Sequence, residues 1–437
     1  MTQFQDLGHR PWLTPWEQEE AIETMLRYGI LKMSNKRDLP LKMGGETDIY
    51  VNLRQARNHP RAIAYFSMLF ANAIRRINPD RFAEIPQAVS CFAGHMSILL
   101  DLPMVTIRET PKGGRVSDAQ IIGDIGYGER IALFDDVITD GASKLDGYTA
   151  LTSRGADPYL FVLVDRQQGW RSKFAELGIK MPLWSGMTLH DIRTYLIRKG
   201  IMERCSAQAE AKNPLILALD GKPWAEILPI VDRLRPTGTI LKVNDLAVAE
   251  GVDNLLPKLG VYGRVMVDLK HHDIPPTVAN SCKRLAPHRP WACTIHASGG
   301  PEMAEAAVTS LSGSDTIVLA VTVLTSLDKD GCEQIYHWKP LKQVLHMAQL
   351  MWNVGVRGFV CSPDETEALR KQHPEAIIVN PGLRSPGADV GAQKRFATFM
   401  EAKGRGANYY VGGSQFFGAP DPVAEVNRVL TAELGIT

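Results

Sequence analysis

The sequence predicts two α/β domains in series, an open α/β sheet followed by a (β/α)8 barrel. Three observations lead there. The chain has 437 residues, more than one ordinary domain holds. A polar, small-residue stretch, MERCSAQAEAKNP (202–214), separates two differently patterned halves and ends in a Pro just before a new apolar run. Beyond it, eight apolar, β-branched runs alternate with helix-length amphipathic segments. The expected domains are therefore 1–205 and 213–437.

The first half alternates helical and strand patterns. Its clearest unit lies within 119–166, where the run RIALFDD reads as a strand and VITDGAS as a loop. A helix should start near Lys144, and another strand should follow. That is one βαβ unit of an open sheet. In the second half the runs are LILALD (215–220), TILKVN (239–244), RVMVDLK (264–270), ACTIHAS (292–298), TIVLAVTVL (316–324), GFVCS (358–362), AIIVNPG (376–382) and NYYVGGS (408–414). Parallel strands buried on both faces read as continuous apolar runs, as these do. Pattern alone leaves an open doubly wound sheet as the alternative.

Composition narrows the function classes. The chain is 45% hydrophobic and 22% charged, the balance of a globular protein with sizeable cores. A formal net charge of +1 argues against a broad nucleic-acid footprint. The first twenty residues lack a basic start followed by an apolar run, so no signal peptide is expected. The longest apolar stretch, 316–324, is too short to span a bilayer. Cysteines at 91, 205, 282, 293, 332 and 361 form no CxxC pair, which suggests reduced, buried thiols in a cytoplasmic protein.

Two segments carry chemistry. In FDDVITDGAS (134–143), Asp135 and Asp136 end a strand at the carboxyl edge, where α/β sheets bind ligands. Thr139, Asp140, Gly141, Ala142 and Ser143 then turn into a helix. Small residues there let backbone N–H groups approach a phosphate. Two carboxylates beside a phosphate cradle suit a ligand that also carries ribose hydroxyls or a Mg²⁺. A solvated turn is the competing reading of such a loop.

In VMVDLKHHDIPPTV (265–278), Asp268, Lys270 and Asp273 crowd the end of a strand that should stay apolar. Residues two apart on a strand point the same way, so Asp268 and Lys270 should share the barrel mouth. TILKVN delivers Lys242 to the same rim, and LILALD delivers Asp220. Such a convergence is costly unless it serves chemistry or is tightly paired. His271 and His272 lack partners at metal-ligand spacing, and His296 reads as a packing residue at a strand end.

These segments resemble two known families. The acidic–glycine loop is similar to the phosphoribosyl-pyrophosphate motif of type I phosphoribosyltransferases. LKMGGETDIYVNLR (41–54) and LVDRQQGW (163–170) resemble stretches of the orotate-specific branch. The resemblance implies an open phosphoribosyltransferase sheet that binds orotate and phosphoribosyl pyrophosphate with Mg²⁺. It implies that Lys42 contacts pyrophosphate or orotate and that Arg166 pairs with orotate. It gives Asp135 and Asp136 the ribose hydroxyls, and 139–143 the 5′-phosphate. In VTIRETPKGGR (105–115), Arg108 matches the first basic residue of the mobile catalytic loop, and Lys112 its catalytic lysine. The match departs from the family there: Glu109 follows Arg108, and Gly113 and Gly114 follow Lys112. The family's Gly- and Pro-rich stretch is reduced to EIPQAVSC (84–91).

The second half resembles orotidine 5′-phosphate decarboxylase through the spacing of Asp268, Lys270 and Asp273. HASGG (296–300), LAVTVLTS (319–326), NPGLRSPG (380–387) and YVGG (410–413) occur in that family's order. The resemblance implies a TIM barrel with Lys242, Asp268, Lys270 and Asp273 as catalytic residues in an alternating row. Asp220 and Lys242 would hold the ribose, Ser326 the pyrimidine, and the backbone of Gly412 and Gly413 the phosphate. Asp273 and Thr277 would reach a neighbouring subunit's site, hence a homodimer. No metal or organic cofactor is implied for this half. Two departures fall at the phosphate: Gly412-Gly413 stands where the family has Gly-Arg, and Pro386 aligns with its loop Gln. Arg384, Lys394, Arg395 and Arg405 are cations near in sequence.

The expected function is thus synthesis of uridine 5′-monophosphate: orotate to orotidine 5′-phosphate in the first half, then decarboxylation in the second. The alternatives are a transferase fused to a weak barrel with an assembly or nucleotide-sensing role, and salvage of another base.

Overall fold

The computed structural model describes residues 11–34, 38–41, 46–85, 88–108, 120–204, 207–386 and 397–436. They form two compact units, Met1–Met202 and Glu203–Thr437.

The first unit is built on a six-stranded sheet: β1 (Arg81–Glu84), β2 (Met104–Ile107), β3 (Ile121–Ile122), β4 (Arg130–Ile138), β5 (Asp157–Asp165) and β6 (Leu183–Thr188). Their order is β6-β5-β4-β1-β2-β3, parallel except for the edge strand β3. Period-two alternation feeds a core on each face. Ala132 and Phe134 join Phe66, Phe70 and Phe82 on one side, while Ile131 and Leu133 join Val105, Val162 and Trp170 on the other. The chain runs outward from β1 to β2 and β3, then returns to lay β4 on β1's other side. The carboxyl ends of β1 and β4 therefore flank the point where strand order reverses, the place for a ligand crevice in open α/β sheets.

The acidic strand runs further than the sequence suggested. It continues through Val137 and Ile138, and the helix begins at Ala142 rather than near Lys144. Parallel pairing of Val137 with Val164 and Ile138 with Asp165 extends the ladder past the two aspartates. Two short antiparallel ribbons, Leu31–Met33 with Ile49–Val51 and Leu39–Pro40 with Glu46–Thr47, belong to the same unit.

The second unit is a closed barrel of eight parallel strands: β7 (Leu215–Ala218), β8 (Ile240–Val243), β9 (Val265–His271), β10 (Ala292–His296), β11 (Ile317–Val321), β12 (Gly358–Val360), β13 (Ile377–Asn380) and β14 (Tyr409–Gly412). β7 pairs with β14, so the ring closes and the open-sheet alternative is excluded. Ile216, Ile240, Met266, Ala292, Leu319, Val379 and Val411 fill the interior as one cluster. This layer fixes what points into the mouth: two residues further on come Ala218, Lys242, Asp268, Thr294, Val321, Pro381 and Gly413. No helix among the described residues is long and apolar enough to cross a membrane.

Candidate functional site

At the barrel mouth Asp220, Lys242, Asp268 and Lys270 form one row. Lys242 Nζ lies 2.7 Å from Asp220 Oδ2 and 3.1 Å from Asp268 Oδ2, and Lys270 Nζ lies 2.9 Å from the same Asp268 oxygen. Asp268 and Lys242 are buried, whereas Lys270 and Asp220 are partly open to the cavity. Thr294 completes the carboxylate: its hydroxyl donates to Asp268 Oδ1 at 3.0 Å and accepts from the Lys270 N–H at 2.9 Å. Asn244 donates to the Asp268 carbonyl. Burial opposes the charge on Lys242, but Asp268 and Asp220 outweigh it and hold the ammonium above its ordinary value.

The route by which Asp268 and Lys270 meet differs from the expected alternation. β9 shifts register between Val267 and His271, and Lys270 has φ +49°. A lysine in the left-handed region is uncommon, and such backbone clusters where neighbouring structure over-determines it. Here the Thr294 bond anchors it. Within one chain Asp220 is the fourth member of the row. Asp273 is exposed and accepts from the N–H of Ile274, and Thr277 is exposed on the following helix.

A cavity of about 270 Å³ opens above the row, lined also by Met266, Val321, Thr325, Cys361, Arg384, Gly412 and Gly413. Thr325 lines it, while Ser326 is exposed in the same turn. Arg384 Nη1 donates to the Leu383 carbonyl, and its buried Nε has no partner among the described residues. Arg405, by contrast, pairs with Asp364 outside the cavity lining. Lys394 and Arg395 fall outside the described residues. His271, His272 and His296 form no metal cluster among the described residues. Burial, His272 and Lys270 together hold the His296 imidazole below its ordinary value.

The family model described as "Orotidine 5'-phosphate decarboxylase / HUMPS family" matches residues 213–429, all within this barrel unit. The orotidine 5'-phosphate decarboxylase of Moorella thermoacetica is 38% identical over 235 residues, 51% of this chain and 93% of that protein. The chain belongs to the orotidine 5′-phosphate decarboxylase family. The protein of that name from Nitrosococcus oceani is 38% identical over 228 residues, 51% of this chain and 98% of its own. A crystal structure of the Lactobacillus acidophilus orotidine 5'-phosphate decarboxylase covers 50% of this chain and 97% of its own at 32% identity, with a TM-score of 0.45.

Gly412 ends the last strand of this decarboxylase-family barrel, and Gly413 follows it. A Cβ on Gly412 would overlap the Phe416 ring, so the residue must stay small. At Gly413 a Cβ would meet only Ala218, at 3.9 Å, so nothing in the backbone's surroundings forbids a side chain there. The loop after β13 does contain a glutamine, Gln393, seven residues beyond Pro386 and outside the described residues.

The first unit places Asp135 and Asp136 within β4, beside the switch point. Asp135 is buried and paired with the buried Lys144 of the following helix. Lys144 was legible only as a helix start. Asp136 is half-buried, takes a backbone bond from Val137, and is pushed up to about 7 by burial and then by Asp135. In the turn, Asp140 accepts from the Ala142 N–H and pairs with Lys173 at 2.8 Å. Thr139 and Ser143 lie in that turn and the first turn of the helix. Gly141 has φ +82°, and a Cβ there would meet Phe174 at 2.6 Å.

Arg166 is buried, its guanidinium donating to the Ile49 carbonyl and the Thr47 hydroxyl. Arg108 is described at the end of β2, where its N–H bonds the Gln120 carbonyl. Lys42 and Lys112 lie outside the described residues. One group was not singled out from sequence: Glu84, the last residue of β1, is buried, and burial pushes its carboxyl up.

Proposed function

We propose that the barrel decarboxylates orotidine 5′-phosphate to uridine 5′-monophosphate, and that the first unit makes this substrate from orotate and phosphoribosyl pyrophosphate. The observation that carries the first half of the proposal is the Asp220–Lys242–Asp268–Lys270 row at the mouth of a barrel of this family.

The row suits the chemistry. When the C6–carboxylate bond breaks, CO₂ leaves and the electron pair stays on C6, which has no adjacent electron sink. The Lys270 ammonium stabilises that pair and then gives C6 its proton, and solvent returns a proton to the amine. Asp268 sits where the substrate carboxylate would be crowded, so loss of that charge relieves repulsion. Lys242 fixes Asp268 and shares Asp220 with the ribose hydroxyls. The turn that carries Thr325, in the cavity lining, and Ser326 beside it would meet the pyrimidine edge. Arg384, Gly412 and Gly413 line the cavity, and the Arg384 guanidinium with the backbone N–H groups of the two glycines would take the 5′-phosphate. Asp273 and Thr277, exposed in a single chain, are offered to a second subunit's site in a homodimer.

For the first unit, the support is the acidic strand end at the switch point and the small-residue turn after it. Mg²⁺ typically binds one or two carboxylates together with substrate phosphates. No cluster of three or more metal ligands occurs among the described residues, so the ion would enter with phosphoribosyl pyrophosphate. Asp136 is the carboxylate open to it, since Asp135 is engaged by Lys144. Orotate, phosphoribosyl pyrophosphate and Mg²⁺ are therefore incubated with the protein, with loss of orotate and release of CO₂ followed separately. Loss of orotate together with release of CO₂ supports the whole proposal. Release of CO₂ only from added orotidine 5′-phosphate would remove the transferase half. The reading as a catalytically weak barrel with an assembly or nucleotide-sensing role rests on Gly413 and Pro386, and it predicts little or no CO₂ release.

A further inference from the structure

Arg384 reaches the cavity from a loop whose next residue, Ser385, is held unusually well. The Ser385 hydroxyl accepts from Gln415 Nε2 at 2.5 Å and from Arg428 Nη2 at 2.7 Å, and it donates to Glu433 Oε1 at 2.5 Å. A hydroxyl has one proton and two acceptor sites, so its capacity is full. The Ser385 N–H also donates to Gln415 Oε1 at 2.9 Å. Arg428 is itself gripped by Glu425 at 2.7 Å and Glu433 at 3.0 Å. Gln415 stands two residues after Gly413, at the end of the last strand, and donates to Glu425 as well. Five polar side chains from three segments therefore meet next to Arg384, which lines the cavity although none of the five does.

We propose that Arg428 and Gln415, acting through Ser385, are positioning residues that hold the Arg384 loop against the 5′-phosphate of the ligand. The inference rests on the proposed ligand class of the barrel. It accounts for a site that lacks a side chain at 413. The missing cation after the last strand is offset by fixing the one that follows β13. Arg428 itself does not line the cavity. Its two carboxylate partners more than offset its charge, so it is not a second cation for the phosphate and its effect is geometric. Charge-assisted bonds to the loop make that geometry stiff, and small misplacements of a binding group cost large factors in affinity.

The test is binding, which needs no turnover. Affinities for uridine 5′-monophosphate and for uridine are measured by calorimetry on wild type, Arg428→Met, Ser385→Ala and Gln415→Ala. The expected result is weaker binding of the phosphorylated ligand, on the order of tenfold, with uridine unchanged, and partial recovery in Arg428→Lys. Melting of each variant is recorded alongside. Equal losses for both ligands, or none for either, would overturn the inference. A wild type that binds the nucleotide more tightly than the nucleoside yet releases no CO₂ would sink the decarboxylase proposal and leave the brace standing.

Discussion

Lys270 Nζ stands 2.9 Å from Asp268 Oδ2, an oxygen it shares with Lys242. One carboxylate oxygen between two ammonium groups cannot turn away from either, so the position of the Lys270 amine is set by the row rather than by its own flexible stem. Replacing Asp268 with Asn removes the charge that both lysines share. CO₂ release from orotidine 5′-phosphate should fall by at least 10²-fold, the scale for losing a positioned charge or proton donor. Activity within a few-fold of wild type would show that the row is only structural.

Thr294 links the carboxylate to the left-handed Lys270 backbone. Thr294→Val keeps the shape and removes both bonds, leaving the Lys270 N–H and Asp268 Oδ1 short of partners. Each unsatisfied buried group costs about 1–3 kcal/mol. The unfolding midpoint of the barrel in urea should drop, and turnover should fall further than ligand affinity. Unchanged turnover would mean that β9 keeps its shifted register without Thr294.

Asp136 gives a pH signature in the first unit. Burial, then Asp135, raises its carboxyl from 3.8 to about 7. The folded chain therefore keeps this proton over a range where the unfolded chain has released it, so stability from Asp136 is full below about pH 4 and lost as pH rises towards 7. Stability of Asp136→Asn should vary less over that window than stability of wild type. The ligand dependence runs the other way: Mg²⁺ with phosphoribosyl pyrophosphate should bind wild type more tightly as pH rises through about 7, and the variant weakly throughout. Parallel pH profiles for the two proteins would exclude this role.

The opening at Gly413 can be filled. A Cβ there meets only Ala218 at 3.9 Å, so Gly413→Arg should fold and lower the Michaelis constant for orotidine 5′-phosphate, by roughly tenfold for one charge-assisted phosphate contact. Gly412→Ala should instead destabilise the barrel by about 1–3 kcal/mol, because the methyl overlaps Phe416. If the arginine leaves the constant unchanged, Arg384 already meets the phosphate fully.

What could be read from sequence followed the alternation of strands. Each of the eight barrel strands begins within one residue of its apolar run, since a parallel strand buried on both faces reads as a near-continuous apolar run. Lys242 and Asp268 follow from counting two residues beyond Ile240 and Met266. The same count from Ala292 reaches Thr294, but a threonine in a strand carries no charge to draw notice. The bulge in β9 was hidden because register depends on the partner strand. Lys144 escaped because a lysine at a helix start usually faces solvent, whereas here Asp135 holds it inside. The brace around Ser385 joins residues 385, 415, 425, 428 and 433, a convergence that exists only once the barrel closes.

The most direct test of the account is CO₂ release from orotidine 5′-phosphate carrying a labelled carboxylate, measured for wild type and for Lys270→Ala. Steady release by the wild type is expected, with a loss to near background in the variant and affinity for uridine 5′-monophosphate retained. Release that survives in Lys270→Ala, or none from the wild type, would contradict it.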